Sequence, residues 1–158
     1  MERDKRIEVV LWSIALPGFG QLINKRFIKG AFFIFLEILI NVQARLNFVI
    51  IPSFHGDIQM AIDHTNYQWV MFYPCLYMFS IYDAYKDAGG ARDPYAYLPF
   101  TLAAFIGTIG VIYSPIFNVN GIYPGIIWLP IIFTILAFII GYVIKKVLQT
   151  RLKQAKLP

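Results

Sequence analysis

An acidic residue inside an apolar run is the first feature of this sequence that could do chemistry. Glu37 lies within the apolar stretch Phe27–Ala44, about 15 Å along a helix from its start and so close to the midplane of a bilayer. Helical spacing puts Asn41 and Arg45 on the face of Glu37, within roughly 80°. A carboxyl group at this depth is costly and often functional, so this polar face predicts a path for a proton, an ion or a lipid headgroup.

A structural role for Glu37 is the alternative. Its carboxyl group could accept a hydrogen bond from another helix, and Tyr73, Tyr77 and Ser80 in the next apolar run are the candidate donors. Arg45 is about 12 Å along the axis from Glu37, which is too far for a direct ion pair. The sequence leaves both interpretations open.

Four residues of metal-binding types follow the first apolar run. They are His55, Asp57, Asp63 and His64. A zinc site on a helix usually places two histidines four residues apart, and the spacing here is looser. The pattern favours a solvated loop and no metal, with metal binding and an intramembrane enzyme built on the two histidines as alternatives. No nucleophile–base pair can be assigned elsewhere, so we predict no catalytic residues and no cofactor.

The composition determines which elements must hold these residues. Hydrophobic residues make up 58% of the 158 residues, and charged residues make up 15%. A soluble domain carries about 25% charged residues. A chain of this size cannot hide so much apolar surface in its own core. We therefore predict an all-α, polytopic membrane protein whose apolar surface is covered by lipid.

Four stretches are long enough, or nearly so, to cross the hydrocarbon core, which needs about 20 residues. They are residues 27–44, 67–82, 95–117 and 122–144. Pro74 inside the second stretch predicts a kink. A fifth stretch, residues 7–23, is broken at Pro17, which leaves about 15 Å of helix before it. We interpret it as a re-entrant or interfacial half-helix, with a short kinked span as the alternative.

The basic residues set the orientation. Clusters at 3–6, 25–29 and 145–156 flank the apolar runs, and the positive-inside rule puts them all in the cytoplasm. Both termini are then cytoplasmic and the protein is a multi-pass protein of the cell membrane. The net charge of +5 lies at these flanks, so it predicts contact with anionic lipid headgroups and excludes a nucleic-acid role.

A glycine-rich motif joins the fifth stretch to the first span. It reads Pro17-Gly18-Phe19-Gly20-Gln21 and continues with Asn24, Lys25, Lys29 and Gly30. The glycines permit a backbone turn and a close helix approach. We predict a helix–helix joint at the cytoplasmic interface, with a lipid phosphate held by the lysines as the alternative. Asp83, at the cytoplasmic end of the second span, is expected to close this joint through Asn24 or Lys25.

These residues carry a family resemblance. The Pro-Gly-x-Gly-Gln, Asn and Lys-Gly signature, together with Asp83-Ala84-Tyr85, resembles small bacterial membrane proteins related to the two-transmembrane domain family. The resemblance covers about residues 10–88. It implies a compact helical unit with a re-entrant entry, and it supplies no substrate. The long outward segment and the extra C-terminal hairpin depart from that pattern.

The loop 87–94 predicts a division into residues 1–90 and a C-terminal hairpin, residues 91–158, with a basic tail. Gly121 and Gly125 predict close packing of that hairpin, or a homodimer.

Two functions fit the whole pattern. The first is an accessory subunit or scaffold for another membrane protein. The second is a transport or lipid-handling protein that uses the polar face around Glu37.

Overall fold

The computed structural model describes the backbone of residues 2–155 and the side chains of residues 4–155, so Lys156 of the basic tail and the side chain of Arg3 lie outside the described residues. The described residues are helical and contain no strand beyond one isolated bridge. The helices are α1 (Glu2–Ala15), α2 (Phe19–Ile23), α3 (Phe27–Ala44), α4 (Leu46–His55), α5 (Ile58–His64), α6 (Tyr67–Val70), α7 (Tyr73–Asp87), α8 (Leu98–Tyr113) and α9 (Gly125–Gln154).

Two of these helices are long and apolar enough to cross a membrane. They are α3, with 18 residues, and α9, with 30. The large apolar side chains of α9 are exposed around most of its surface; they are Ile131, Ile132, Ile135, Leu136, Ile139, Ile140, Val143, Ile144 and Val147. A helix that is apolar all round belongs in a protein core or in lipid. The exposure on α9 therefore favours lipid.

The N-terminal segment contains a helix, a turn and a short second helix. The predicted break after residue 16 is confirmed, because α1 ends at Ala15 and α2 begins at Phe19. Gly18 between them has a φ of 107°, a left-handed conformation that a residue without a Cβ adopts readily. The helix α1 then packs on α7, and α2 packs on both α3 and α7.

The second apolar run contains a break that the sequence analysis put in the wrong place. We predicted a kink at Pro74, within one helix over residues 67–82. Instead α6 ends at Val70, and α7 begins at Tyr73 with Pro74 in its first turn. The first turn tolerates proline because its backbone N–H groups have no partner inside the helix. The proline therefore starts α7 and does not bend it.

We predicted a solvated loop between the first two apolar runs, and this prediction is wrong. It forms the helical pair α4 and α5, which pack on each other and on α9. Leu46 and Val49 of α4 belong to the buried core, and the Trp128 indole N–H donates to the Ser53 carbonyl at 3.3 Å. The segment is therefore helical and partly apolar, and the polar residues that predicted a loop lie at the end of α4 and on α5.

The helices α8 and α9 form the C-terminal hairpin, and glycines bring them close. A Cβ at Gly110 would lie 2.8 Å from the Pro130 Cα, and one at Gly141 would lie 2.7 Å from the Pro99 Cα. The predicted role of Gly121 and Gly125 in this hairpin is wrong. Gly121 has nothing within 4 Å of its Cβ position, and Gly125 faces Ile58 of α5.

Candidate functional site

A polar joint ties the glycine motif to the end of α7. The side chain of Gln21, on α2, is fully buried. Its Nε2 donates to the Ser80 carbonyl at 2.9 Å and to the Asp83 Oδ2 at 3.2 Å. The glutamine therefore bonds both the backbone and a carboxylate of α7, which fixes the distance and the rotation of the two helices.

Two further side chains extend the joint across α7. Asn24 Nδ2 donates to the Ala84 carbonyl at 2.8 Å. Lys29 Nζ bridges the Asp83 Oδ1 at 2.7 Å and the Asp87 Oδ2 at 3.0 Å. Ionised hydrogen bonds of this kind are stronger than neutral ones, and the lysine joins the start of α3 to two successive turns of α7.

The predicted joint is present, with partners different from those expected for Asp83. We expected Asn24 or Lys25, and Asp83 instead pairs with Gln21 and Lys29. Lys25 is exposed and has a φ of 61°. The left-handed conformation at Lys25 turns the chain between α2 and α3. Arg26 adds an ion pair to Asp87 at 3.5 Å.

The glycines of the motif serve close contact. Gly20 lies where α1, α2 and α7 meet, because a Cβ there would collide with the Ser13 hydroxyl and approach the Ala84 Cβ to 2.8 Å. Gly18 and Gly30 face each other across α2 and α3, since a Cβ on Gly18 would lie 2.6 Å from the Gly30 carbonyl oxygen. Pro17 beside them is fully buried. Larger residues would push the helices apart.

The joint retains polar atoms that could take a further hydrogen bond. Four buried oxygens meet no partner among the described residues; they are Ser13 Oγ, Gln21 Oε1, Asn24 Oδ1 and Ser80 Oγ. Buried polar atoms are nearly always bonded in folded proteins. The joint is therefore polar inside as well as tightly packed, but it brings no nucleophile to a base.

Glu37 is buried between α3 and α7, where its carboxyl group is bonded by a tyrosine. Tyr73 OH donates to the Glu37 Oε1 at 2.7 Å. The Tyr73 and Tyr77 rings lie 5.1 Å apart, and Tyr77 OH donates to the Ile14 carbonyl of α1 at 3.0 Å. This contact is the interhelical hydrogen bond that the structural interpretation of Glu37 predicted. The Glu37 Oε2 is also buried and has no partner among residues 4–155.

The rest of the predicted polar face is dispersed. Asn41 is half-buried. Arg45 lies beyond the end of α3, where it is exposed and has a φ of 59°. Because this left-handed residue leaves the helix, Arg45 does not continue the face of Glu37. A polar path along α3 would therefore have to begin from Glu37 and Asn41 alone.

The four metal-binding residue types lie on the helical pair α4 and α5. Asp57 caps α5 by accepting from the Met60 backbone N–H at 3.2 Å. Asp63 accepts from Gln59 at 2.8 Å, and His64 Nδ1 lies 2.8 Å from the Met60 carbonyl. His55 is exposed at the end of α4. No group of three metal-ligand residues occurs within the described part of the chain.

Two residues that complete these sites were not predicted from the sequence. Ser13 of α1 closes the joint against Gly20, and Lys145 of α9 is buried and pairs with Asp93. Lys145 lies 52 residues from Asp93, so no local pattern could have revealed that pair, whereas the contact of Ser13 with Gly20 depends on how the chain turns between α1 and α2. Comparisons of the chain with protein families, with curated proteins and with solved structures found no match.

Proposed function

We propose that this chain is an integral membrane protein with four spans, formed by α3, by α6 with α7, by α8 and by α9. The contacts between helix ends support this arrangement. The residues predicted to be cytoplasmic lie together, as in the pairs Lys29–Asp83 and Lys145–Asp93. The predicted outward elements also lie together, since Ile58 of α5 faces Gly125 at the start of α9. Each helix end then has neighbours from the same side of the bilayer.

We infer that α1 and α2 enter and leave the membrane on the cytoplasmic side. The helix α1 has 14 residues, which is about 21 Å and shorter than the hydrocarbon core. The joint from Gln21 and Asn24 to α7 lies just after the break, at the end that carries Lys29 and Asp87. This placement also supports kinship with the two-transmembrane domain family, because the signature residues of the resemblance build one joint.

We propose that the protein acts as an accessory subunit that binds a transmembrane helix of another membrane protein. An exposed aromatic patch on α3 and α7 carries this proposal. Phe32 and Phe79 are 56% and 61% exposed, and the ring of Phe33 lies 5.9 Å from each of them. Rigid aromatic side chains that are already packed lose little conformational entropy on binding. The polar joint beneath them fixes the two helices that carry the patch.

Affinity purification at endogenous expression level, in a mild detergent, tests the accessory role. We expect one membrane protein to be recovered at a fixed ratio to this chain. The double variant Phe32→Ala/Phe79→Ala should lose that partner, whereas Phe105→Ala, an equally exposed phenylalanine on α8, should keep it. Recovery of the wild-type chain as a stable monomer, or as an oligomer of itself alone, would contradict the proposal.

A transport role around Glu37 is the second candidate, and the buried Oε2 without a described partner supports it. Carboxyl groups inside membrane spans often mark proton or ion paths, and this oxygen could bind the proton or the ion. The variant Glu37→Gln would then abolish flux in reconstituted vesicles while expression and thermal stability stay normal. If Glu37→Gln destabilises the protein as much as Tyr73→Phe does, and no flux is measured for the wild type, the carboxyl group is structural.

A further inference from the structure

A lateral groove separates α1 from α9. Its floor is formed by α7 and α8, because α1 packs on α7 and α9 packs on α8. The groove encloses about 550 Å³, within the range of about 300–1,000 Å³ typical of small-molecule sites. Its walls are mostly apolar, with Ile14 of α1 opposite Phe138 and Ile139 of α9. Such a groove offers a hydrocarbon chain contacts that the convex helix surfaces do not.

A buried lysine closes one end of the groove. Lys145 lines it together with Tyr85 and Tyr142. Lys145 lies 20 residues after the first residue of α9, Gly125, so it is about 30 Å along the helix and at the far edge of the hydrocarbon core. The groove therefore runs from the apolar interior to the level of the cytoplasmic headgroups.

The ammonium of Lys145 forms one long ion pair within the described part of the chain. Its side chain is 9% exposed, and its carboxylate partner Asp93 is 55% exposed at a distance of 3.4 Å. An ammonium group has three N–H donors, and the described residues offer it this one carboxylate oxygen. A buried cation with one long, solvent-screened ion pair is complementary to a second anion that reaches it from the membrane side.

We propose that this groove binds one anionic phospholipid, with an acyl chain along Ile14, Phe138 and Ile139 and the phosphate on Lys145. The lipid supplies what each end of the groove lacks, an apolar chain for the walls and a negative charge for the ammonium. The hollow beside the groove shares Val10 and Tyr85 with it and is lined by Arg6 of α1. The inference rests on the membrane placement proposed above and is independent of the accessory role.

Native mass spectrometry of the full chain in detergent tests this proposal, with phosphatidylglycerol or phosphatidylcholine as the added lipid. The wild type should retain one phosphatidylglycerol and prefer it to phosphatidylcholine by at least about fivefold, the contribution of one lysine near a membrane surface. Lys145→Gln should remove that preference. Lys153→Gln removes the same charge from an exposed site on the same helix and should keep it. Inorganic phosphate should not compete, because it has no acyl chain.

Two further variants test the apolar part and the ion pair separately. Ile139→Trp should fill the groove and prevent lipid retention, whereas Ile140→Trp, at a neighbouring position that is equally exposed at 54%, should not. Asp93→Asn removes the competing carboxylate and should strengthen phosphatidylglycerol binding by about twofold to fivefold. This last variant changes an exposed residue, so it remains informative if Lys145→Gln fails to fold.

Three outcomes would overturn the lipid site. They are an unchanged preference in Lys145→Gln, an equal loss in Lys153→Gln, and lipid retention by Ile139→Trp. If the chain retains a second protein and no lipid, the groove binds a helix of that protein, and the lipid proposal is wrong. A chain that needs detergent but retains no lipid contradicts this inference alone, whereas a chain soluble in plain buffer contradicts the membrane placement beneath it.

Discussion

The N-terminal joint and the C-terminal hairpin hold their helices together in two different ways. At the joint, Gln21, Asn24 and Lys29 reach polar groups of α7. In the hairpin, glycines face backbone atoms of the opposite helix, as Gly141 faces Pro99. Helices in lipid gain little from hydrophobic association, so packing and hydrogen bonds must supply the attraction. The joint adds hydrogen bonds between side chains and α7 to its close glycine contacts, whereas the hairpin relies mainly on close packing.

This difference predicts different responses to substitution. A hydrogen-bonded joint should be sensitive to the charge and the donor pattern of a side chain of nearly unchanged size. A close-packed hairpin should be sensitive to volume, down to a single methyl group. Variants in the joint and in the hairpin test this contrast, and a variant at the Glu37–Tyr73 hydrogen bond extends it to the interior of the protein. In each case the free energy of unfolding in mixed detergent micelles is compared between a variant and the wild type.

The largest effect is expected for Gln21→Glu, which changes one amide to a carboxylate. The new oxygen would face the Ser80 carbonyl and the Asp83 carboxylate, which now accept from the Gln21 amide. A buried charge without a partner costs about 3–5 kcal/mol. The variant Gln21→Leu, which only removes the bonds, should cost about 1–3 kcal/mol. Equal losses in the two variants would show that packing, and not the donor pattern, holds the joint.

The next effect is expected in the hairpin, for Gly141→Ala. The added Cβ would lie 2.7 Å from the Pro99 Cα, and backbone atoms cannot rotate away as a side chain can. Overpacking of this kind costs about 1–3 kcal/mol. The control is Ile140→Ala, which changes the volume of an exposed neighbour and should cost much less. If alanine at Gly141 leaves the free energy of unfolding unchanged, α8 and α9 are not in close contact at this position.

A smaller loss is expected for Tyr73→Phe, which removes one hydroxyl from the interior. The Glu37 Oε1 would lose the donor that lies 2.7 Å away. Hydrogen bonds between membrane helices contribute about 0.6 kcal/mol on average and at most about 1.7 kcal/mol. Tyr113→Phe, on an exposed tyrosine at the end of α8, is the control and should be neutral. Rescue of Tyr73→Phe by Glu37→Leu would support a purely structural pair.

The smallest effect is expected for Lys29→Met at the rim of the joint. The Lys29 side chain is partly exposed while it bridges Asp83 and Asp87, and exposed ion pairs contribute about 0–1 kcal/mol. The loss should shrink as salt is added, because salt screens exposed charges. Lys25→Met removes a nearby exposed lysine with no carboxylate partner among the described residues. A loss that does not depend on salt would assign the effect to packing of the lysine stem.

The elements that the sequence predicted well are those fixed by local patterns. The first apolar run coincides with α3 because its bounds are set by Arg26 and Arg45, and the break near Gly18 follows from the proline and glycines. The last apolar run, predicted over residues 122–144, lies in one helix, α9, which begins at Gly125 and continues through the basic tail to Gln154. Such patterns need no knowledge of distant residues.

The failures at the outward segment and at the joint come from contacts between distant residues. The helical pair α4 and α5 is stabilised by packing on α9, for example by Phe54 on Trp128 at 4.8 Å, and the sequence of the segment alone does not show that α9 lies against it. The sequence predicted where the joint lies but not which residues pair with Asp83. The choice between Lys25 and Lys29 depends on how the chain turns at Lys25. The groove at Lys145 needs four helices and has no local signature.

The orientation of the chain in a membrane tests the account most directly. Single cysteines replace Gln59 on α5 and Lys25 beside the joint, both exposed, in a Cys75→Ala background. An impermeant maleimide is then added to right-side-out vesicles. We predict labelling at position 59 in intact vesicles, and labelling at position 25 only after the vesicles are opened. Equal labelling of both positions in intact vesicles, or release of the chain into buffer without detergent, would contradict the membrane placement of the whole protein.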